Sequence, residues 1–268
     1  MKSSNFAGAT LNSLTRALSH ALISEETARR RGLMQALDPR VRVLGILALV
    51  IAVALAHKIA VVLALFVIAI VLARASSISI RTLSVRVWLV ALAFTGIIAL
   101  PAVFLTPGQP VFPNSSVTLQ GLCTAAMLVS RVEAAVTLTT VLVLSTPWTE
   151  ILKALRALHV PKEAVMMLGM AHRYIFLLAE TATQMFESRQ SRTVGVIEGR
   201  QQRKLAARTA GVLMSKSIDL SQEVFLAMQS RGYRGEVHIA EHSGIHTRDW
   251  AALGSFIAIA VIAIRAGW

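Results

Sequence analysis

The sequence predicts an all-α, polytopic integral membrane protein of about five transmembrane helices, with a layer of long amphipathic helices outside the bilayer. Three observations predict it. Of 268 residues, 55% are hydrophobic and 15% charged, with a mean hydropathy of +0.63, a balance outside the soluble range. Apolar runs recur at five places, and the basic residues are unevenly shared among the segments that join them. The net charge of +13 therefore reads first as topology, and no nucleic-acid partner is expected.

Residues 1–42 are read as a cytoplasmic N-terminal segment. They carry Lys2, Arg16, Arg29, Arg30, Arg31, Arg40 and Arg42, and lack the apolar core and small-residue cleavage site of a secretory signal peptide. The membrane region, 43–145, opens with two apolar pieces, Val43–Ala56 and Ile59–Ala73, divided by His57 and Lys58. The polar pair predicts a tight helical hairpin of short spans, flanking residues snorkelling or the bilayer thinning locally. One long buried helix is the rival reading.

Val87–Leu105 is the third span. The uncharged stretch after it, with Pro101, Pro107, Pro110 and Pro113, is read as a loop because proline has no amide to donate. Leu122–Leu144 is the fourth span and Trp250–Ile264, within a C-terminal segment 248–268, the fifth. Cys123 is expected to be a small core residue, and as the single cysteine it forms no disulfide within the chain.

The loops orient these spans. Arg74, Arg81 and Arg86 flank the second connection, whereas Pro101–Gln120 has no charge. The positive-inside rule then puts the N-terminus and the Arg81 loop in the cytoplasm. Four crossings place the segment 146–247 there too; from Pro147 to Thr247 it carries 13 basic and 9 acidic residues. The expected location is the cell (inner or plasma) membrane, multi-pass.

That cytoplasmic segment has helical periodicity rather than the composition of a polar tail. Leu168, Ile175, Leu178, Ala182 and Met185 follow a heptad-like seam, whose next positions are Arg189 and Arg192. A second helix places Leu213, Leu220, Val224 and Met228 on one face, and that face returns at Arg231. Gly232 suits a left-handed C-terminal cap just beyond it. Two apolar seams that each end in arginine suggest docking into a partner's groove, the guanidinium forks reaching carboxylates or carbonyls. The plainer reading is that the arginines face lipid headgroups or cap helix ends.

Leu37-Asp38-Pro39-Arg40-Val41-Arg42, Ser145-Thr146-Pro147, Val160-Pro161, His172-Arg173-Tyr174-Ile175 leading to Glu180, and Ala227-Met228-Gln229-Ser230-Arg231-Gly232-Tyr233-Arg234-Gly235 occur in an order covering nearly the whole chain. Together they resemble the transmembrane T component of energy-coupling-factor ABC transporters, the CbiQ/EcfT family, and more its cobalt and nickel branch than its vitamin branch. The resemblance implies a subunit with two short Ala-Arg-Gly-like motifs near the ends of two coupling helices, which insert into two ATP-binding cassette ATPase subunits. A separate membrane S component holds the solute. The second motif here is Ser230-Arg231-Gly232. The first is Ser191-Arg192-Thr193, or one turn earlier Ser188-Arg189-Gln190; serine replaces alanine in both, and the first lacks the glycine.

No cofactor or metal site is expected. Gly211-Val212-Leu213-Met214-Ser215-Lys216-Ser217 ends like a phosphate-binding loop but lacks its second glycine, so ATP must come from a partner chain. His238, His242 and His246 recur every four residues beside Glu241, but Ser243-Gly244 interrupts the helix that would align them as ligands. Arg131 and Glu133 sit at membrane depth, where charge is costly unless paired or facing a cavity. Two residues apart they point to different faces, so contact with another helix or with the S component is expected, against snorkelling to the outer interface. An intramembrane enzyme is a rival, but no H-E-x-x-H, G-x-S-x-G or paired-aspartate motif is present. A basic scaffold binding anionic lipid is another.

Overall fold

The structure is a computed structural model that describes residues 32–76, 78, 83, 87–106, 118–192, 199–234 and 247–268. The described residues are built of helices, in two compact units. One unit takes residues 32–154 and 247–268, the other those from Leu155 to Arg234.

The first unit is a bundle. Helix α1 (Pro39–Leu55) begins where Asp38 caps it, the carboxylate accepting from the Arg40 amide at 2.8 Å, with Pro39 at the first helical position. It ends at the polar pair, and α2 (Ile59–Ala75) follows. The single-helix alternative for 43–73 is thereby excluded. Buried Ile46, Leu49, Ala52 and Val53 of α1 and Val62, Leu65 and Ala69 of α2 recur at three- and four-residue steps, the spacing of one helical face. Leu47, Ile51, Val67 and Val71 on the other faces are exposed, as suits a helix that is apolar all round and meets lipid.

Helix α3 (Leu89–Leu105) contains Pro101. The proline is thus a correction to its assignment to the loop: the helix tolerates one missing amide near its end and runs on for four residues. Thr118 caps α4 (Leu119–Ser145), accepting from the Gly121 amide at 3.1 Å while its hydroxyl donates to the Thr106 carbonyl at 2.8 Å. A Cβ on Gly121 would lie 2.7 Å from the carbonyl oxygens of Ala102 and Val103, so only glycine lets α3 and α4 approach this closely. Cys123 is exposed on α4, not a core residue; the inward face of that helix runs through Gly121 and Ala125 instead.

The last helix of the bundle, α8 (Thr247–Gly267), packs along α1. A Cβ on Gly45 of α1 would lie 2.5 Å from Cδ2 of Phe256, so the missing side chain is what seats that ring. At one end the Asp38 amide donates to Asp249 Oδ1 at 3.0 Å. At the other, the His57 amide donates to the Gly267 carbonyl at 3.2 Å and Lys58 Nζ to the Ala266 carbonyl at 2.9 Å. The turn between α1 and α2 thus supplies donors for carbonyls that a helix end leaves bare. By length and composition α4 and α8 can cross a membrane; α2 and α3 are shorter apolar helices.

Helix α5 (Trp148–Ala157) starts in the bundle and leads into the second unit. It closes with His159 at φ 64°, the Val160 amide reaching the Leu155 carbonyl and the His159 amide that of Arg156. This is the paired pattern of a left-handed cap, with histidine in the place glycine usually takes. Helices α6 (Lys162–Ser191) and α7 (Gly199–Ser230) follow, each about 45–48 Å long at 1.5 Å per residue. They touch each other, with Ala182 and Phe186 of α6 and Thr209 of α7 buried.

Candidate functional site

Three places hold the polar chemistry of the described chain. The first is the end of the bundle where α1 starts. Arg42, one turn into α1, is 3% exposed. Its Nε donates to the Leu37 carbonyl at 2.9 Å, Nη1 to that of Ser145 at 2.9 Å and Nη2 to that of Gln35 at 3.2 Å. Nη2 also lies 3.1 Å from Glu150 Oε2. That approach lacks hydrogen-bond geometry, so the pair is held by charge and the directed bonds go to carbonyls. A single guanidinium, with its fixed fork of donors, thus joins the turn before α1, the last residue of α4 and the first turn of α5. The Asp38-Pro39-Arg40-Val41-Arg42 motif is explained here: aspartate and proline start the helix, and Arg42 ties it to two others. The sequence reading took Arg42 as a topology charge and as part of the Leu37–Arg42 motif, without a partner, and gave Glu150 and Asp249 no role. The i, i+4 placement of Arg42 after Asp38 was the one local signal.

The second place is the pair of helix ends in the other unit. On α7, Leu213, Leu220, Val224 and Met228 are partly buried, along with Leu205 and Ser217, on the same face. The helix ends at Ser230, and Gly232 at φ 81° forms the cap: its amide donates to the Gln229 carbonyl and the Tyr233 amide to that of Met228. On α6 the two halves of the seam differ. Leu168 and Ile175 are 41% and 64% exposed, whereas Val165 is buried and His172 packs edge-on against Phe176. Helix α6 is apolar on two faces there, and periodicity does not tell which one packs. From Ala182 onward the seam is buried or partly buried.

The last turns of the two helices share two hydrogen bonds. Ser191 closes α6 with its hydroxyl donating to the Ser188 carbonyl at 2.9 Å, as Ser230 closes α7 with its hydroxyl on that of Ala227 at 2.9 Å. The next amide, of Arg192 or Arg231, reaches back three residues at 3.2 Å to Arg189 or Met228. Arg192 and Arg231 are exposed and make no side-chain hydrogen bond among the described residues, while Arg189 lies half-buried in the last turn and is engaged. Thr193 and His238, His242 and His246 lie outside the described residues. Among those described, no cluster of three or more candidate ligands could hold a metal ion. The stretch Gly211–Ser217 is continuous helix inside α7, so it forms no phosphate-cradling loop.

The third place is in α4. Arg131 Nη2 donates to the Ala56 carbonyl at 2.6 Å, closing the end of α1. Glu133 is 7% exposed and neither carboxylate oxygen has a hydrogen-bond partner. It lines a groove of about 460 Å³ between α2, α3 and α4. No ion pair joins Arg131 and Glu133 among the described residues.

A bundle of apolar helices, interrupted in sequence by two long helices that end in serine followed by arginine, is the architecture of an all-α membrane protein. Comparison with known proteins gives the family: the model for the cobalt transport protein CbiQ matches residues 31–240, and the chain belongs to that family, whose members are membrane components of transporters rather than enzymes. The chain is similar to an uncharacterized protein of Methanocaldococcus jannaschii, 30% identical over 91% of this chain and 86% of that one. It is also similar to the cobalt transport protein CbiQ of Rhodobacter capsulatus, 27% identical over 54% of this chain and 62% of that one. A third relative is the nickel permease LarQ of Lactiplantibacillus plantarum, 30% identical over 45% of this chain and 44% of that one.

Proposed function

We propose that this chain is the energy-coupling T subunit of an uptake transporter for cobalt or nickel ions. Its N-terminus and the segment 146–247 face the cytoplasm, where two ATP-binding cassette ATPases dock on α6 and α7. A separate S component in the membrane holds the solute. The observation that carries the proposal is the duplicated helix end: two long helices each finish in serine followed by an exposed arginine, with the same backbone and hydroxyl hydrogen bonds. Matched ends suit a pair of similar partners, one per helix. The match also favours Arg192 over Arg189 as the counterpart of Arg231. An unshared guanidinium at the tip of a rigid helix pays little ordering entropy on binding a carboxylate or carbonyls. Lipid binding would not need the two ends to be alike.

Two relatives are named for cobalt and for nickel, which supports the choice of solute. A further relative, the energy-coupling factor transmembrane protein EcfT of Lacticaseibacillus paracasei, is 29% identical over 53% of this chain and supports the coupling role. The apolar residues exposed on α6, Leu168 and Ile175, give the coupling helices a second surface to offer a partner.

Affinity purification from native membranes tests the proposal. ATPase chains should co-purify, and Arg231→Glu or Arg192→Glu should each weaken their capture by about 30-fold or more, equivalent to the ~2 kcal/mol of a docking hot spot. Arg200→Glu, at the exposed start of α7, should leave capture unchanged. Equal losses from all three, growing with falling salt, would instead identify diffuse charge binding.

A further inference from the structure

Glu133 is a buried carboxylate of the bundle to which the described residues give no hydrogen bond. Around it, Thr137 donates to the Glu133 backbone carbonyl and accepts from Trp88 Nε1 at 3.0 Å, and Arg131 turns Nη2 to the Ala56 carbonyl, its Nε having no hydrogen-bond partner. Neither oxygen of the Glu133 carboxylate has a hydrogen-bond partner. It lies at the wall of the groove between α2, α3 and α4, which is apolar except for Glu133 and Ser130. Small residues recess that wall: Gly96, Ala99, Ala125 and Ala126 line it, and a Cβ built on Gly96 meets nothing within 4 Å. Exposed Leu63, Leu100 and Leu122 form its rim.

We infer that this groove receives a transmembrane helix of the solute-binding membrane subunit, and that a lysine or arginine within that helix pairs with Glu133. The inference rests on the reading of the chain as a T subunit. Depth argues for a protein donor. Glu133 is about 21 Å along α4 from Leu119 and about 18 Å from Ser145 at 1.5 Å per residue, near the middle of a hydrocarbon layer about 30 Å thick. A lipid headgroup does not reach that level, and an acyl chain brings no donor. An ionised carboxylate at membrane depth is costly unless it is paired, and small residues are what allow a second backbone close enough to bring a partner.

The test is made on the complex purified from native membranes, by two readouts. In the first, Cys123 is replaced by alanine, Gly96→Cys is introduced where a Cβ meets nothing within 4 Å, and a short photoactivatable crosslinker on the new thiol labels whatever fills the groove. The labelled peptide should belong to a different polypeptide and to an apolar span containing a lysine or arginine. In the second, Glu133→Leu should lower the yield of that subunit at least tenfold while the ATPases still co-purify. Gly96→Phe, which fills the groove and keeps the carboxylate, should do the same. Replacing the partner's basic residue by leucine should add no further loss to Glu133→Leu. A label on lipid alone, on a second copy of this chain or on a span without a basic residue overturns the inference, as does full retention of the subunit by Glu133→Leu. Loss of the ATPases from the unsubstituted complex refutes the T-subunit reading instead.

Discussion

Replacing Arg42 by methionine should be the most damaging single change in the bundle. Methionine keeps most of the length of the side chain but removes every donor. Three carbonyls, those of Leu37, Gln35 and Ser145, then lose the guanidinium that satisfies them, and Glu150 loses its cation. Hydrogen bonds to a charged group contribute about 1.5–3 kcal/mol each, and removing one member of a buried charge pair costs about 3–5 kcal/mol. These terms overlap. Glu150 is a third exposed, so water screens its share, and the carbonyls dominate. An expected loss of about 3–5 kcal/mol follows, or about 6–20 °C in melting temperature for a domain of this size. Glu150→Gln should cost about 1 kcal/mol or less, because Arg42 keeps its three carbonyls. The assay is thermal unfolding of the purified protein in one detergent, followed by circular dichroism. A melting temperature for Arg42→Met within about 1–2 °C of the parent, the shift expected for ~0.5 kcal/mol, would refute the argument that this guanidinium holds three helices together.

Two further predictions concern glycine and its absence. Gly45→Val should cost about 1–3 kcal/mol through overpacking against Phe256, and Phe256→Leu should recover part of it; equal stability of Gly45→Val and parent in thermal unfolding would show that α1 and α8 do not meet there. His159→Gly relieves a left-handed conformation at φ 64° that costs an ordinary residue about 1 kcal/mol or more, so it should raise the melting temperature by about 2–4 °C. A drop would show that the imidazole itself is held by something.

What the sequence discloses about this chain depends on whether a signal is local. The break after α1 was legible because His57-Lys58 is a polar pair in an apolar run, and the end of α7 because Gly232 follows a regular seam. Pro101 misled because a missing amide is tolerated near a helix end. The role of Arg42 was hidden for a different reason. A basic residue before a span satisfies the positive-inside rule whatever it touches, and its partner carbonyl on Ser145 is 103 positions away. Glu133 and Arg131 could be told apart only in three dimensions, where one finds a carbonyl and the other finds a groove.

The two ends of α8 give the chain a schedule for its own synthesis. Asp249 receives the amide of Asp38, 211 positions earlier, and Ala266 receives Lys58 across 208. At ribosomal speeds of about 5–20 residues per second, the first helix therefore waits about 10–40 s for the last. Throughout that interval the Gly45 notch lacks Phe256, and the carbonyl-capping donors of the first turn have nothing to cap. A chain cut short in α6 or α7 would lack the helix that packs along α1.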